Sequence, residues 1–165
     1  MTGVQTCALP IFLSASRGGG AFQEPLAGGP SVPVRPRAWR PGDAVRLAGS
    51  VERAHSASDD LESLVARIGT VEPARVDSQA KYALVARGDA DAYVRRSPGV
   101  GYREWIWDHA AGAILAEEAG CTVTDTLGVP LDFSHGKRLE GAVGIVCAAP
   151  GLHAAVVAAL SGGAA

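Results

Sequence analysis

The chain has 165 residues, of which 47% are hydrophobic and 19% are charged, and its formal net charge at pH 7 is −2. This composition is typical of a globular domain, and the near balance of charge argues against a surface built to coat nucleic acid. No apolar run approaches the roughly 20 residues that cross a bilayer, so we expect neither a nucleic-acid nor a membrane partner. Beyond Cys7, the cysteines are Cys121 and Cys147, without paired or C-x-x-C spacing, which predicts a reduced, cytoplasmic protein.

The first eleven residues, MTGVQTCALPI, read as the translation of a common sequencing-library adapter. We therefore expect residues 1–11 to be an assembly artefact and exclude them from the fold prediction, as one would an engineered scar. If so, the gene continues upstream. About 150 residues remain, which suits one domain with a sizeable core or the later part of a larger protein.

The rest of the chain alternates between strand-like and helix-like segments. Phe12–Ser16 and Ala21–Pro25 are predicted strands around a glycine turn at Arg17–Gly20, and Gly28–Pro41 is a predicted surface loop. Further strands are predicted at Ala44–Ser50, Pro73–Val76, Ala90–Arg95, Thr122–Asp125 and Gly144–Cys147. Helices are predicted at Ser58–Ile68, Ser78–Ala86, Asp108–Ala119 and Leu152–Leu160. This alternation predicts a layered α/β domain with a largely covered sheet.

Two of these helices carry clear boundary or packing signals. In the first, apolar residues recur at helical spacing and form one stripe, made of Leu61, Leu64, Val65 and Ile68. Ser58 or Asp59 is the expected N-cap of that helix. Gly120 is expected to end the Asp108–Ala119 helix, because glycine readily adopts the left-handed conformation that follows a last helical turn.

Several familiar catalytic motifs are absent or incomplete. Ser78–Lys81 fits the S-x-x-K pattern of penicillin-recognising serine enzymes, but neither S-D-N nor K-T-G follows it. Arg17–Gly20 is glycine-rich but is not followed by G-K-[ST], so it is not a phosphate-binding P-loop. There is no G-x-S-x-G, and the four histidines are not at zinc-ligand spacing. These observations argue against a serine hydrolase and against a zinc enzyme.

The segment YREWIWDHAAG, residues 102–112, places Asp108 beside two tryptophans and before a run of small residues. One interpretation is that Asp108 is the N-cap of a helix through His109–Ala119 and accepts hydrogen bonds from its free amides. Another is that a carboxylate fixed at a helix start, beside buried indoles, is an oxygen ligand for a hard cation such as magnesium. These residues alone leave both interpretations open.

Other side chains at the ends of predicted elements suit an anion. Ser78 and Lys81 would share a face of the first helical turn and offer a hydroxyl, an ammonium and free amides. Arg95 ends a predicted strand, where α/β sheets usually present ligands, and a guanidinium can bind phosphate through two parallel hydrogen bonds. Alternatively, Lys81 and Arg95 are solvated surface charges, Ser78 caps a helix, and His55, a lone histidine before a helix, is structural.

The order and spacing of five segments favour a ligand-binding role for these residues over a structural one. The segments are RGGGAFQ (17–23), VERAHSASDD (51–60), VDSQAKYALVARGDADAYVRR (76–96), GYREWIWDHAAG (101–112) and EEAGCTVTDTLGVPLDF (117–133). With them, nearly all of Phe12–Leu160 resembles the 3′(2′),5′-bisphosphate nucleotidases of the inositol monophosphatase superfamily. W-D-x-A-A-G followed by E-A-G-x-x-x-T-D marks the superfamily, whereas D-S-Q-x-K-Y with Y-x-E-x-I-W-D-H-A-A-G looks specific to the nucleotidase branch.

This resemblance implies a fold and a division of the chain. The fold would be the later part of an α-β-α-β-α layered sandwich that is incomplete at its N-terminus. Residues 12–50 would end the N-terminal α+β part, and residues 51–162 would form the C-terminal α/β part with the nucleotide pocket and the third metal motif. A missing N-terminal half of the same chain would be a partner, and an exposed apolar face is expected where it packs.

The resemblance also implies roles for individual residues. Asp108 would bind a catalytic Mg²⁺, with Trp107 fixing its rotamer and Gly112 allowing close packing behind it. The nucleotide would be held by His55, Ser78, Lys81 and Arg95, and Tyr102 would line the pocket. The implied reaction is hydrolysis of adenosine 3′,5′-bisphosphate to AMP and phosphate, with the 3′-phosphate of phosphoadenylyl sulfate as a second substrate.

The chain departs from the family pattern in its metal ligands. The family's other ligands lie in an early Glu-Glu element and in D-P-x-D-G-[ST], and this chain has no D-P-x-D-G. Glu117–Glu118 is not the missing pair, because it follows Asp108 in the same predicted helix. Since one carboxylate holds magnesium weakly, we expect this chain alone to be inactive or nearly so. Cys121, where the family usually has glycine, should matter little.

Three functional readings remain from the sequence. The first is the C-terminal part of a bisphosphate nucleotidase. The second is a related inositol polyphosphate phosphatase, which competition with AMP would distinguish. The third is a non-catalytic nucleotide-binding module, which would be favoured by nucleotide binding without magnesium-dependent turnover from a gene shown to start at Met1.

Overall fold

The computed structural model describes residues 11–51, 61, 63, 65–97, 99 and 101–162. His55, the two N-cap candidates Ser58 and Asp59, and Leu64 of the predicted stripe lie outside the described residues. Among the described residues, no helix is both long and apolar enough to span a membrane.

The predicted hairpin near the start of the chain is present. Strands β1 (Ile11–Ser16) and β2 (Gly20–Pro25) pair antiparallel, and the two-residue strand β3 (Val32–Pro33) pairs with β2. The prediction that Gly28–Pro41 is a surface loop is wrong in part. This segment contains β3, and two of its side chains, Val34 and Trp39, are buried because they pack into the core.

Five further strands form one sheet in the order β5-β4-β6-β8-β7. They are β4 (Val45–Gly49), β5 (Val71–Arg75), β6 (Ala92–Arg95), β7 (Thr122–Thr124) and β8 (Ile145–Ala148). Strands β5 and β6 both run parallel to β4, whereas β8 runs antiparallel to β6 and to β7. The predicted strands are confirmed, with ends shifted by one or two residues.

The described helices are α1 (Ala80–Ala86), α2 (Ala110–Ala119) and α3 (His153–Ser161), and a 3-10 turn spans Ile106–Asp108. Two predicted starts are wrong. The first helix begins after Ser78, because Ser78 has φ +59°, which a right-handed helix excludes. The second begins after Asp108, which belongs to the 3-10 turn. Gly120, with φ +105°, ends α2 as predicted.

Helices α1 and α2 lie between the two sheets. On one side they contact the three-stranded sheet through a cluster that includes Ala21, Val34, Ala83, Ala86, Leu115 and Ala119. On the other they pack on the five-stranded sheet through Tyr82, Val85, Ala113, Ala116, Tyr93 and Ile145. The opposite face of that sheet is covered by residues that include Leu61, Val65, Leu152 and Val156. The layered fold with a covered sheet is therefore confirmed, as is burial of Leu61 and Val65 from the predicted stripe.

The division of the chain at residues 50 and 51 stays a prediction. Strand β4, which precedes this point, lies between β5 and β6 of the five-stranded sheet. The fully buried Asp91 adds a polar link there, since its carboxylate accepts hydrogen bonds from Arg37 at 2.8 Å and from the Arg46 backbone amide at 2.7 Å. Segments before and after residue 50 thus share one core.

Candidate functional site

The candidate site lies at one edge of the five-stranded sheet. Strands β4, β5 and β6 are parallel, so their carboxyl ends meet at this edge, where α/β sheets usually bind ligands. The segments that leave the edge are joined directly, because the Val51 backbone amide donates to Asp77 Oδ1 at 3.1 Å. Ser78 follows β5, and Arg95 ends β6 as predicted.

Lys81 is buried rather than solvated. Only 7% of its surface is exposed, its Nζ donates to the Ser78 carbonyl oxygen at 3.2 Å, and the ammonium lies 5.6 Å from the centre of the Tyr93 ring. Burial lowers the pKa of Lys81, the nearby Arg95 lowers it further, and Asp77 acts in the opposite direction. The alternative of a solvated surface charge is therefore wrong for Lys81. The exposed Ser78 contributes its carbonyl here, and it does not share a helical turn with Lys81.

Arg95 is half-buried and held by a buried acid. Its Nε donates to Glu104 Oε1 at 2.7 Å; the Arg95 side chain is 41% exposed and Glu104 only 1%. Burial acts to lower the pKa of Arg95, but the hydrogen bond and charge of Glu104 outweigh burial and raise it, with smaller contributions from Tyr93 and Tyr102. Tyr102, half-buried, thus lies beside Arg95 at the same edge.

The other carboxylate oxygen of Glu104 contacts residues deeper in the protein. Glu104 Oε2 lies 3.3 Å from His109 Nε2, and His109 Nδ1 lies 2.9 Å from the Tyr82 hydroxyl. Tyr82 and His109 are 0% and 2% exposed. Burial raises the pKa of Tyr82 well above its ordinary value, so this hydroxyl keeps its proton. These contacts form a continuous line of hydrogen-bonded side chains that runs from Tyr82 through His109 and Glu104 to Arg95.

Asp108 does not cap the helix that follows it. The N-cap of α2 is His109, and the Gly112 amide instead donates to Gln79 Oε1 at 2.8 Å. Gln79 Nε2 donates in turn to the Trp107 carbonyl at 2.9 Å, which ties the Asp108 turn to the loop with Ser78. Asp108 is exposed, and its carboxylate makes no hydrogen bond with the described residues. Of the two interpretations, the capping one is wrong.

The indoles beside Asp108 are not buried, contrary to expectation. Trp105 and Trp107 stack on each other with ring centres 4.5 Å apart, and Trp107 is 54% exposed. The Arg138 guanidinium lies over Trp105, 2.8 Å from the ring centre. The expected close packing at Gly112 is present, since a Cβ at this position would lie 2.7 Å from Tyr82 Cγ.

The described residues do not make a complete metal site. In residues 11–51, 61, 63, 65–97, 99 and 101–162, no group of three or more His, Cys, Asp or Glu side chains is placed to hold an ion. Asp108 offers one exposed carboxylate, which is the kind of oxygen ligand that magnesium prefers. Glu118 is engaged elsewhere, because its two oxygens accept the Gly18 and Gly20 amides of the β1–β2 turn at 2.7 and 2.9 Å.

The structure thus brings four of the predicted site residues to one edge: Ser78, Lys81, Arg95 and Tyr102. Asp108 is connected to them through Gln79, and His55 stays a prediction. Sequence reasoning missed four polar residues that hold the site together, namely Gln79, Tyr82, Glu104 and His109. Their signal was present, because all four are fixed letters of D-S-Q-x-K-Y and Y-x-E-x-I-W-D-H-A-A-G, which interlock in the fold.

Known proteins match most of the chain. Residues 4–163 match the inositol monophosphatase family. The chain is 39% identical over 155 residues to the 3′(2′),5′-bisphosphate nucleotidase of Emericella nidulans, covering 91% of this chain and 44% of that protein. The corresponding Oryza sativa protein is 44% identical over 134 residues, covering 81% and 37%. The solved structure of Mycobacterium tuberculosis SuhB has a TM-score of 0.64 at 28% identity, covering 92% and 54%. The chain spans less than half the length of these two curated nucleotidases.

Proposed function

Because the chain belongs to the inositol monophosphatase family, we propose that it is part of a magnesium-dependent phosphatase that removes the 3′-phosphate of adenosine 3′,5′-bisphosphate to give AMP. The nucleotidase names of its curated relatives support this substrate class. Our proposal further places the second, non-reacting phosphate at the sheet edge formed by Ser78, Lys81 and Arg95.

The observation that carries this proposal is the buried charge of Lys81. An ammonium taken out of water is costly unless a counter-charge compensates it. Among the described residues Asp77 acts on Lys81 through its charge, but no carboxylate forms a direct ion pair with the ammonium. The guanidinium of Arg95 adds a second positive charge nearby. A phosphate group would neutralise both cations, and a substrate with two phosphates can bind here while its other phosphate reacts elsewhere.

Asp108 would contribute one oxygen ligand to the magnesium site. The remaining ligands would come from the early Glu-Glu and D-P-x-D-G-[ST] elements of the family pattern, which this sequence does not supply. Since one carboxylate cannot position metal ions for hydrolysis, we expect no phosphate release above background from the 165-residue chain with adenosine 3′,5′-bisphosphate and magnesium. A phosphate-release assay checks this, and turnover at rates typical of enzymes would contradict it.

Binding tests the proposal independently of turnover. Titration calorimetry of the 165-residue chain would compare adenosine 3′,5′-bisphosphate, adenosine 3′-monophosphate and an inositol bisphosphate. We expect the bisphosphate nucleotide to bind more tightly than adenosine 3′-monophosphate, because only the bisphosphate carries the non-reacting 5′-phosphate that Lys81 and Arg95 would bind. Tighter binding of the inositol bisphosphate would instead favour an inositol polyphosphate phosphatase. Equal binding of all three compounds would contradict the proposed site.

A further inference from the structure

A continuous line of polar side chains connects the protein interior to Arg95. The Tyr82 hydroxyl, both ring nitrogens of His109 and both carboxylate oxygens of Glu104 take part, and the last link is the 2.7 Å hydrogen bond from Arg95 Nε to Glu104 Oε1. Tyr82, His109 and Glu104 are at most 2% exposed, whereas the Arg95 side chain is 41% exposed. Three buried residues thus support one residue that reaches the surface.

The direction of these hydrogen bonds follows from their chemistry. Glu104 is a carboxylate and only accepts, so His109 Nε2 carries a proton and donates it to Glu104; Nδ1 pairs with the Tyr82 hydroxyl, which keeps its own proton. Burial acts to raise the pKa of Glu104, but the hydrogen bonds from His109 and Arg95 outweigh it and hold the carboxyl ionised. Each carboxylate oxygen therefore has one donor, and the line leaves none of its buried polar atoms unpaired.

We propose that Glu104 is a positioning residue for Arg95: it fixes the guanidinium through Nε and so orients the two terminal nitrogens toward a phosphate. His109 and Tyr82 hold Glu104 in place. This inference rests on the proposed function, in which Arg95 binds the non-reacting phosphate. A guanidinium presents its donors in a rigid plane, so holding one nitrogen orients the others. Because His109 directly follows Asp108, the same line also fixes the turn that carries this carboxylate.

The test is Glu104→Gln, with Glu140→Gln as the matched control on an exposed glutamate. We expect Glu104→Gln to weaken binding of adenosine 3′,5′-bisphosphate by up to about tenfold, because the freed arginine must then be ordered by the ligand. The control should leave the affinity unchanged. An unchanged affinity in Glu104→Gln would overturn the proposal.

Nitrogen-15 NMR of the histidine ring gives a readout that general destabilisation would not move. A glutamine has one acceptor and one donor group. If its oxygen still accepts from Arg95 Nε, its NH₂ group faces His109 Nε2, so Nε2 must lose its proton and the neutral ring carries its proton on Nδ1. We expect this tautomer change in Glu104→Gln and not in Glu140→Gln. Should Glu104→Gln fail to fold, Tyr82→Phe, which removes only the hydroxyl, should weaken binding less but in the same direction, and unchanged binding would overturn the proposal.

A double-variant cycle separates action through Arg95 from a general effect. Arg95→Lys removes the Nε donor, so Glu104→Gln should cause no further loss of affinity in that background. An equal loss in both backgrounds would overturn the proposal.

If the wild-type chain binds no bisphosphate nucleotide, the proposed function fails, and inorganic phosphate becomes the probe for Glu104. The positioning role stands if phosphate shifts the Arg95 Nε resonance in the wild type and shifts it less in Glu104→Gln. It falls if the two proteins respond equally, or if neither responds.

Discussion

Lys81 is a charged side chain in a position that normally excludes charge. Among the described residues, its ammonium contacts the Ser78 carbonyl and the face of the Tyr93 ring, and the charge of Asp77 acts on it from farther away. Cation–π contacts and one neutral hydrogen bond compensate the loss of hydration incompletely. Such a residue costs stability in the free protein, and binding an anion recovers part of this cost.

Lys81→Gln should separate binding from stability. We expect affinity for adenosine 3′,5′-bisphosphate to fall by about 10- to 100-fold, since a hydrogen bond to a charged group contributes about 1.5–3 kcal/mol. The free energy of unfolding should change little or increase, because a buried charge is removed. Calorimetry and urea unfolding measure the two quantities.

The matched control for this variant is Lys137→Gln, the same change at an exposed lysine. It should alter neither quantity. A large loss of stability in Lys81→Gln without loss of affinity would show that Lys81 has a structural role.

The lowered pKa of Lys81 makes binding depend on pH. Below this pKa the ammonium is charged and attracts phosphate; as pH rises through it, still below the ordinary value of 10.5, the charge and the attraction are lost. Over the same interval the folded state binds fewer protons than the unfolded state, so the free energy of unfolding should rise with pH. Affinity measured across this range should fall in the wild type and much less in Lys81→Gln. Parallel pH curves for the two proteins would contradict the assignment.

At the scale of elements, helices α1 and α2 contact each other through hydrogen bonds and close packing near their N-terminal ends. Gln79 binds the Gly112 amide and the Trp107 carbonyl, and Tyr82 lies where Gly112 has no side chain. The α1–α2 contact therefore places the Asp108 turn against the loop with Ser78. Glu118 performs a similar task at the other end of α2, where its two oxygens hold the β1–β2 turn.

Gly112→Ala tests this contact, because here we expect the substitution to lower the free energy of unfolding rather than raise it. Glycine to alanine within a helix ordinarily stabilises by about 1 kcal/mol. Here the new Cβ would collide with the ring of Tyr82, so we expect a net loss of about 1–3 kcal/mol in the free energy of unfolding. Urea denaturation measures it. Gly162→Ala is the control, because a Cβ there meets only the Ala158 oxygen at 3.5 Å and φ is −77°. Stabilisation by Gly112→Ala would show that α1 and α2 are less tightly packed.

At the scale of the whole molecule, Asp91 connects three segments of the chain. Its carboxylate binds Arg37 of the segment before β4 and Arg46 of β4 itself, and it lies just before β6. Burial acts to raise the pKa of Asp91, but the hydrogen bonds from Arg37 and Arg46 outweigh burial and lower it. The contribution of Asp91 to stability is therefore present above the ordinary pKa of 3.8 and is lost as pH falls through the lowered value.

Asp91→Asn should lower the free energy of unfolding at neutral pH. We expect a loss of about 2 kcal/mol, less than for a fully buried pair because both arginines are partly exposed. The difference from the wild type should begin to shrink below pH 3.8, where the unfolded state takes up a proton, and should vanish once pH falls below the lowered pKa of the folded carboxyl. The control is Asp89→Asn, which removes a surface ion pair with Arg87 and should cost at most about 0.5 kcal/mol. A difference that persists unchanged in acid would contradict the role given to the Asp91 charge.

The local sequence determined which segments are strands and helices and where several of them end. Apolar periodicity gave the strands and the buried residues Leu61 and Val65, and Gly120 marked the end of α2, because these signals depend on neighbours along the chain. The motifs also indicated the family. They named Ser78, Lys81, Arg95 and Tyr102 as a group, although only the fold shows these residues at one sheet edge.

Tertiary structure alone decided the environment of each side chain. Lys81 of helix α1 lies over the ring of Tyr93, which belongs to strand β6. Asp108 makes no capping bond because Gln79, 33 residues before Gly112, accepts the hydrogen bond of the Gly112 amide. Tyr82 and His109, which share a hydrogen bond, are 27 residues apart. The physical reason is that burial and pairing depend on what packs over a group. Partners so distant along the chain leave no periodic signal in the sequence.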